Sequence, residues 1–181
     1  MPQLIDTKSR TGTLVAAVNH LLAEGGPRAV SLRAVARVSR VSTSSILHHL
    51  GSMEHLLRVS AHWTGIARRE QMSWRWPEEG LLAHLPDMAD HVVEARVWLA
   101  WCEMWRSEPG VETTMREARD HERALLAGHL DYALSRDDLD GLVALLDGLT
   151  VAVCRPEAPM PPARARHLLL RAYPPENLSG I

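Results

Sequence analysis

Residues 31–57 read SLRAVARVSRVSTSSILHHLGSMEHLL, and this stretch decides the fold. Leu32, Val35 and Ala36 recur at i, i+3 and i+4, the spacing of one buried helical face. Ser31 stands at the N-cap position of that helix, and Arg33 and Arg37 lie on its outer side. Ser39-Arg40-Val41-Ser42 interrupts the face, and Ser42 can cap a second helix. That helix, Thr43 to His49, turns Ile46 and Leu50 inward and leaves Thr43, Ser44, Ser45, His48 and His49 on its other side. A short polar-faced helix held by a partner across a tight turn is a helix-turn-helix, whose second helix enters a DNA major groove. The candidate DNA-contacting residues are therefore Ser31, Arg33, Arg37, Ser42, Thr43, Ser44, Ser45, His48 and His49.

The flanks support this. Upstream, Leu14, Val18, Leu21 and Leu22 give a helix from about Thr11 to Glu24 one apolar face, and Gly25-Gly26 ends it. Residues 1–9 read as a loose arm holding Lys8, with Arg10 just beyond. Downstream, Ser52 can cap a helix running to about Gln71 along Leu56, Ser60, Trp63 and Ala67.

Ala29-Val30-Ser31-Leu32-Arg33-Ala34-Val35-Ala36, then Val41-Ser42, then Ser45 to Leu57 closely resemble the N-terminal module of TetR-family transcriptional regulators, without a gap in spacing. The resemblance implies an all-α protein in two parts. A three-helix helix-turn-helix DNA-binding domain spans residues 1–52, and a helical ligand-binding and dimerisation domain spans 53–181. It also implies that Lys8 and Arg10 lie near the duplex. Four positions depart from the family pattern: Leu47 replaces a usual Tyr, Met53 a usual Lys, Leu50 a usual Phe, and Arg40 the turn glycine. The first two remove common phosphate contacts, and the last places a side chain where a left-handed backbone costs roughly 1 kcal/mol.

Composition fits an ordinary globular chain, with 46% hydrophobic residues, 23% charged and no Phe. The net charge of -2 conceals a polarity: residues 1–60 carry seven basic and three acidic side chains, the remainder 13 and 19. A basic front and an acidic body suit a nucleic-acid-binding module on a sensor domain. Cys102 and Cys154 sit in apolar helical segments, which suits buried thiols of a reducing compartment rather than a disulfide framework. The start lacks the apolar core of a signal peptide and no run reaches a bilayer span, so a cytoplasmic protein is expected.

In the second part, Trp74-Arg75-Trp76-Pro77 breaks the helical pattern, and Glu78 to Asp87 reads as a further helix ended by Pro86. From Met88 a long helix carries Glu94, Trp98, Trp101 and Trp105 at i, i+4, i+7 and i+11, with His91 extending the stripe. Such a stripe is either core or the indole wall of a cavity for a flat apolar molecule or a cation. With Trp63 and Met88, these residues form the candidate ligand site. Arg96 to Trp101 also resembles the ligand domain of the choline-responsive BetI-like branch of the family.

Glu108-Pro109-Gly110 reads as a turn before a mostly polar helix from Val111 to Leu134. The last two helices, Leu139 to Cys154 and Ala163 to Ala172, are apolar on much of their surface and need a cover. The resemblance implies that a second subunit supplies it. The expected function is a homodimeric, ligand-responsive repressor on pseudo-palindromic double-stranded DNA, released by a small-molecule effector. The alternative is a TetR-like sensor with weakened DNA binding. Neither an HExxH pair, a phosphate loop nor a nucleophile elbow occurs, so no enzyme, cofactor or metal is expected.

Overall fold

The computed structural model describes residues 3–130 and 134–174. Among these, eight α-helices and two short 3-10 segments form the secondary structure, and no strand occurs. The helices are α1 (Gln3–Gly25), α2 (Leu32–Ser39), α3 (Thr43–Leu50), α4 (Met53–Glu79), α5 (Ala89–Met104), α6 (Pro109–His129), α7 (Arg136–Cys154) and α8 (Pro162–Ala172). The all-α expectation holds.

The chain divides into two compact units, one of Met1–Ile66 with Arg96–Glu117, the other of Ala67–Ala95 with Ala118–Ile181. α4, α5 and α6 each supply residues to both units.

In the first unit, α1 carries the stripe Leu14, Val18, Leu21 and Leu22, all buried, and α2 and α3 add Val35 and Ile46. Both caps form as the sequence requires. Ser31 Oγ accepts from the Ala34 amide at 3.2 Å, and Ser42 Oγ accepts from the Ser45 amide at 3.2 Å. Each cap contributes about 1 kcal/mol by satisfying an amide the helix leaves open. Gly51, at φ 77°, closes α3 with its amide on the Leu47 carbonyl at 2.8 Å, and Ser52 Oγ caps α4 through the His55 amide at 3.0 Å.

The second unit has its own core of Leu81, Leu85, Leu126, Leu130, Leu142, Leu146, Leu149, Val153, Ala165 and Leu169. Ser135 caps α7 through the Asp138 amide at 3.2 Å, so that helix begins three residues before Leu139.

Several boundaries differ from expectation. Residues 3–9 are helical rather than a loose arm, continuing α1 backwards. Pro77 does not stop α4, which runs to Glu79. A proline here removes one backbone donor only two residues before the helix ends, and the Arg75–Glu79 pair spans the gap in the ladder. Glu78 to Asp87 is not an α-helix but the end of α4, a 3-10 turn over Gly80–His84, and an extended exit at Leu85. Gly80, at φ 55°, breaks the helical path. Pro109 opens α6 rather than forming a turn, as its fixed φ permits at a first helical position. That helix ends at His129, and the expected continuation through 131–133 falls outside the described residues.

Candidate functional site

The helix-turn-helix occupies the first unit. Ser31, Arg33, Arg37, Ser42, Ser44 and His48 are exposed, while Thr43, Ser45 and His49 are half-buried. Four of the expected contacts are already engaged. Ser31 and Ser42 hold the caps described above, and Ser42 Oγ also lies 2.8 Å from Ser45 Oγ. His49 Nε2 is hydrogen-bonded to Thr11 Oγ1 at 2.9 Å, which fixes the end of α3 to α1. That leaves Arg33, Arg37, Thr43 and His48, with the exposed Ser44, whose Oγ lies 3.1 Å from Ser42 Oγ, as the side chains most available to a duplex. Leu47, 40% exposed, puts an apolar surface among them.

Between the two helices stands Arg40, with φ 57° and ψ 28°, in the left-handed region. Only Arg40 and Ala158 among the described non-glycine residues have positive φ. A residue with a Cβ is held there at a cost of about 1 kcal/mol, as the turn position led one to expect.

Two residues of the tryptophan stripe are enclosed. Trp98 and Trp101 are 2% and 0% exposed, and the Trp101 indole N–H donates to Asn19 Oδ1 at 3.3 Å. Asn19 Nδ2 in turn donates to Thr64 Oγ1 at 3.0 Å, whose hydroxyl reaches the Ser60 carbonyl at 2.9 Å. α1, α4 and α5 are thus pinned together by a polar relay inside the first unit. Trp105 is half-buried, while Trp63 and Met88 are 39% and 57% exposed.

His91 and Glu94 belong to the second unit and line a small cleft with Arg68, Gln71, Met72, Arg75, Ala83, His84, Leu85, Pro86 and Ala95. Its polar groups are mostly paired. Arg68 meets Glu122 at 3.0 Å. Arg75, 6% exposed, gives Nε to Glu79 at 2.9 Å and Nη2 to Glu79 at 2.6 Å, to the Leu85 carbonyl at 3.3 Å and to Asp87 at 3.3 Å. His91 Nδ1 lies 2.5 Å from Asp87, and Gln71 donates to Glu94.

The exception is His84. It is 4% exposed, neither ring nitrogen has a hydrogen-bond partner, and Nδ1 stands 3.7 Å from Glu122 Oε1. Burial pushes its pKa below the usual imidazole range; Glu122 opposes that shift, and Arg68 and Arg75 add to it. For Glu122, burial favours the neutral acid, yet Arg68 first, then His84 and Arg119, hold the carboxyl down at about 2. Trp76 stands between two imidazoles, stacked on His129 at 4.2 Å and edge-on to His84 at 5.9 Å. An enclosed imidazole with an open donor and acceptor, beside a charged pair, can anchor one polar end of a small molecule.

Sequence reasoning missed this cluster because its partners are far apart in the chain: Arg68 and Glu122 are 54 positions apart. Among the described residues, no three His, Cys, Asp or Glu side chains are placed to hold a metal ion, and no helix is long and apolar enough to cross a membrane.

Comparison with known proteins gives the same picture. Residues 14–59 match the family model for bacterial regulatory proteins of the tetR family, and residues 78–173 match that for the C-terminal part of BetI-type transcriptional repressors. The HTH-type transcriptional regulator BetI of Burkholderia mallei is 27% identical over 163 residues, covering 82% of this chain and 84% of its own. Its counterpart in Burkholderia thailandensis is 26% identical over the same length. A transcriptional regulator from Rhodococcus sp. Rha1 has the same fold, with a TM-score of 0.79 at 23% identity, covering 90% of this chain and 92% of that one. A putative regulator from Saccharomonospora viridis, solved in complex with choline, gives 0.76 at 18% identity, covering 91% and 95%. With a tetR-type reading module at the front and a BetI-type model covering more than half its length, the chain belongs to the TetR family of bacterial transcriptional regulators.

Proposed function

We propose that this regulator is a homodimeric repressor that reads pseudo-palindromic duplex DNA and releases it when a small-molecule effector binds. Residues 1–52 read the duplex, and residues 53–181 take the effector and dimerise; the protein acts in the cytoplasm and has no catalytic role. The observation that carries this reading is the capped α2–α3 pair, with Arg33, Arg37, Thr43, Ser44 and His48 turned outward. Two such heads on a dimer meet successive major grooves about 34 Å apart. The effector is assigned to the cleft beside His84, where Arg68, Gln71, His91 and Glu94 also stand, and the cleft must widen to admit an organic molecule. Neighbours of the same fold hold small organic molecules, choline in one and malachite green in the multidrug binding protein EbrR, which supports an organic effector here.

Fluorescence anisotropy with a duplex from immediately upstream of the coding sequence tests the reading. Binding that persists at near-physiological salt and is not matched by a scrambled duplex is expected. Weak, equal binding to both, abolished by salt, would instead favour a TetR-like sensor in which Leu47 and Met53 have cost the phosphate contacts.

Dimerisation is assigned to α7 and α8. Val151 is 42% exposed, and Leu145, Leu168 and Leu170 are only partly covered. Val151→Glu is expected to weaken the dimer by roughly tenfold or more in analytical ultracentrifugation, by burying a charge without a partner. A variant sedimenting as wild type would move the interface elsewhere.

A further inference from the structure

α3 carries no lysine or arginine: its sequence is TSSILHHL. The reading helix therefore brings no permanent cation to a polyanion. The permanent charge must come from its surroundings. Arg33 and Arg37, four apart on α2, are exposed, and Arg40, three further on, continues their row into the turn. At 1.5 Å per residue the row is about 10 Å long.

Arg40 has features that a structural role does not explain. It is exposed, makes no hydrogen bond or ion pair with any described residue, and occupies a left-handed backbone position that glycine would fill without strain. No described residue pairs with the guanidinium there. The turn gives up stability to display it, and what it displays is a flexible cation two residues before the cap of the reading helix.

We propose that Arg40 is a DNA-contacting residue, the third cation of a row with Arg33 and Arg37 that grips one phosphate strand. The inference rests on the DNA-binding reading above. It assigns sequence-independent affinity to the turn and leaves base discrimination to α3.

The experiment compares wild type, Arg40→Gly and Arg40→Lys on upstream and scrambled duplexes across a salt series, with melting curves of each protein. Arg40→Gly is expected to melt higher than wild type while binding both duplexes roughly three- to tenfold more weakly. Its slope of log K against log salt should flatten by about 0.9 per subunit. Arg40→Lys keeps a charge on the same strained backbone and should restore the slope. Arg40→Gly with wild-type affinity and slope overturns this inference alone, as does an Arg40→Lys variant that behaves like the glycine variant. A wild-type protein that binds neither duplex at any salt overturns it together with the regulator reading.

Discussion

Replacing Trp101 by alanine is expected to destabilise the protein by about 4 kcal/mol, enough to remove most of the margin of a chain this size. The side chain is 0% exposed, so the substitution leaves an indole-sized void in a close-packed interior. It also strips Asn19 Oδ1 of the indole donor at 3.3 Å, loosening the relay through Thr64 to the Ser60 carbonyl. Denaturant titration of the purified variant checks this. A loss below about 1 kcal/mol would mean that Trp101 lines a space that can collapse or admit water, and the cavity-wall reading of the stripe would return.

The second large effect is on acid stability. His84 is neutral in the fold and has a pKa below its usual 6.5, whereas the unfolded chain protonates it at that value. As pH falls through about 6.5, the unfolded state binds the proton first and stability drops. His129, also lowered by burial and by its neighbour His84, acts in the same direction. Glu122 behaves as a carboxylate with a depressed pKa. The stability it supplies is complete above 4.5 and is lost as pH falls towards about 2. That span corresponds to about 3 kcal/mol. Asp87, which burial would raise but which His91 and Arg75 hold low, contributes to the same acid-side loss.

Thermal unfolding across pH should therefore show an early decline that begins as pH falls through about 6.5, followed by a steeper one below about 4.5. His84→Leu should shrink the early decline, because an apolar side chain of similar size has no proton to bind. A wild-type melting temperature that is level from about pH 7 to 5 would show that His84 is hydrated in solution and not enclosed.

The helix-turn-helix was legible because everything that defines it is local. Ser31 and Ser42 reach amides three residues away, and the faces of α2 and α3 repeat within one or two turns. The path around Pro77 was not legible by the same means. A proline inside an apolar pattern signals a break, and only the brace from Arg75 to Glu79, together with Gly80 three residues on, shows where the helix actually ends. The tryptophan stripe was ambiguous for a different reason: a period of 3.6 identifies a face without saying what lies opposite. The partner that Trp101 meets is Asn19, 82 positions earlier. The His84 cluster was invisible, since its three-way arrangement with Arg68 and Glu122 depends on α4, the 3-10 turn and α6 meeting.

Trp76 carries one more consequence. An indole packed against imidazole loses excited-state energy when the ring beside it takes up a proton, and Trp76 has such a ring on either side, His129 stacked at 4.2 Å and His84 edge-on at 5.9 Å. Light emission from this one residue thus follows the protonation and displacement of His129 and of His84, which lines the proposed effector site. The chain has six tryptophans, so the Trp76 signal is read as the difference between wild type and Trp76→Phe.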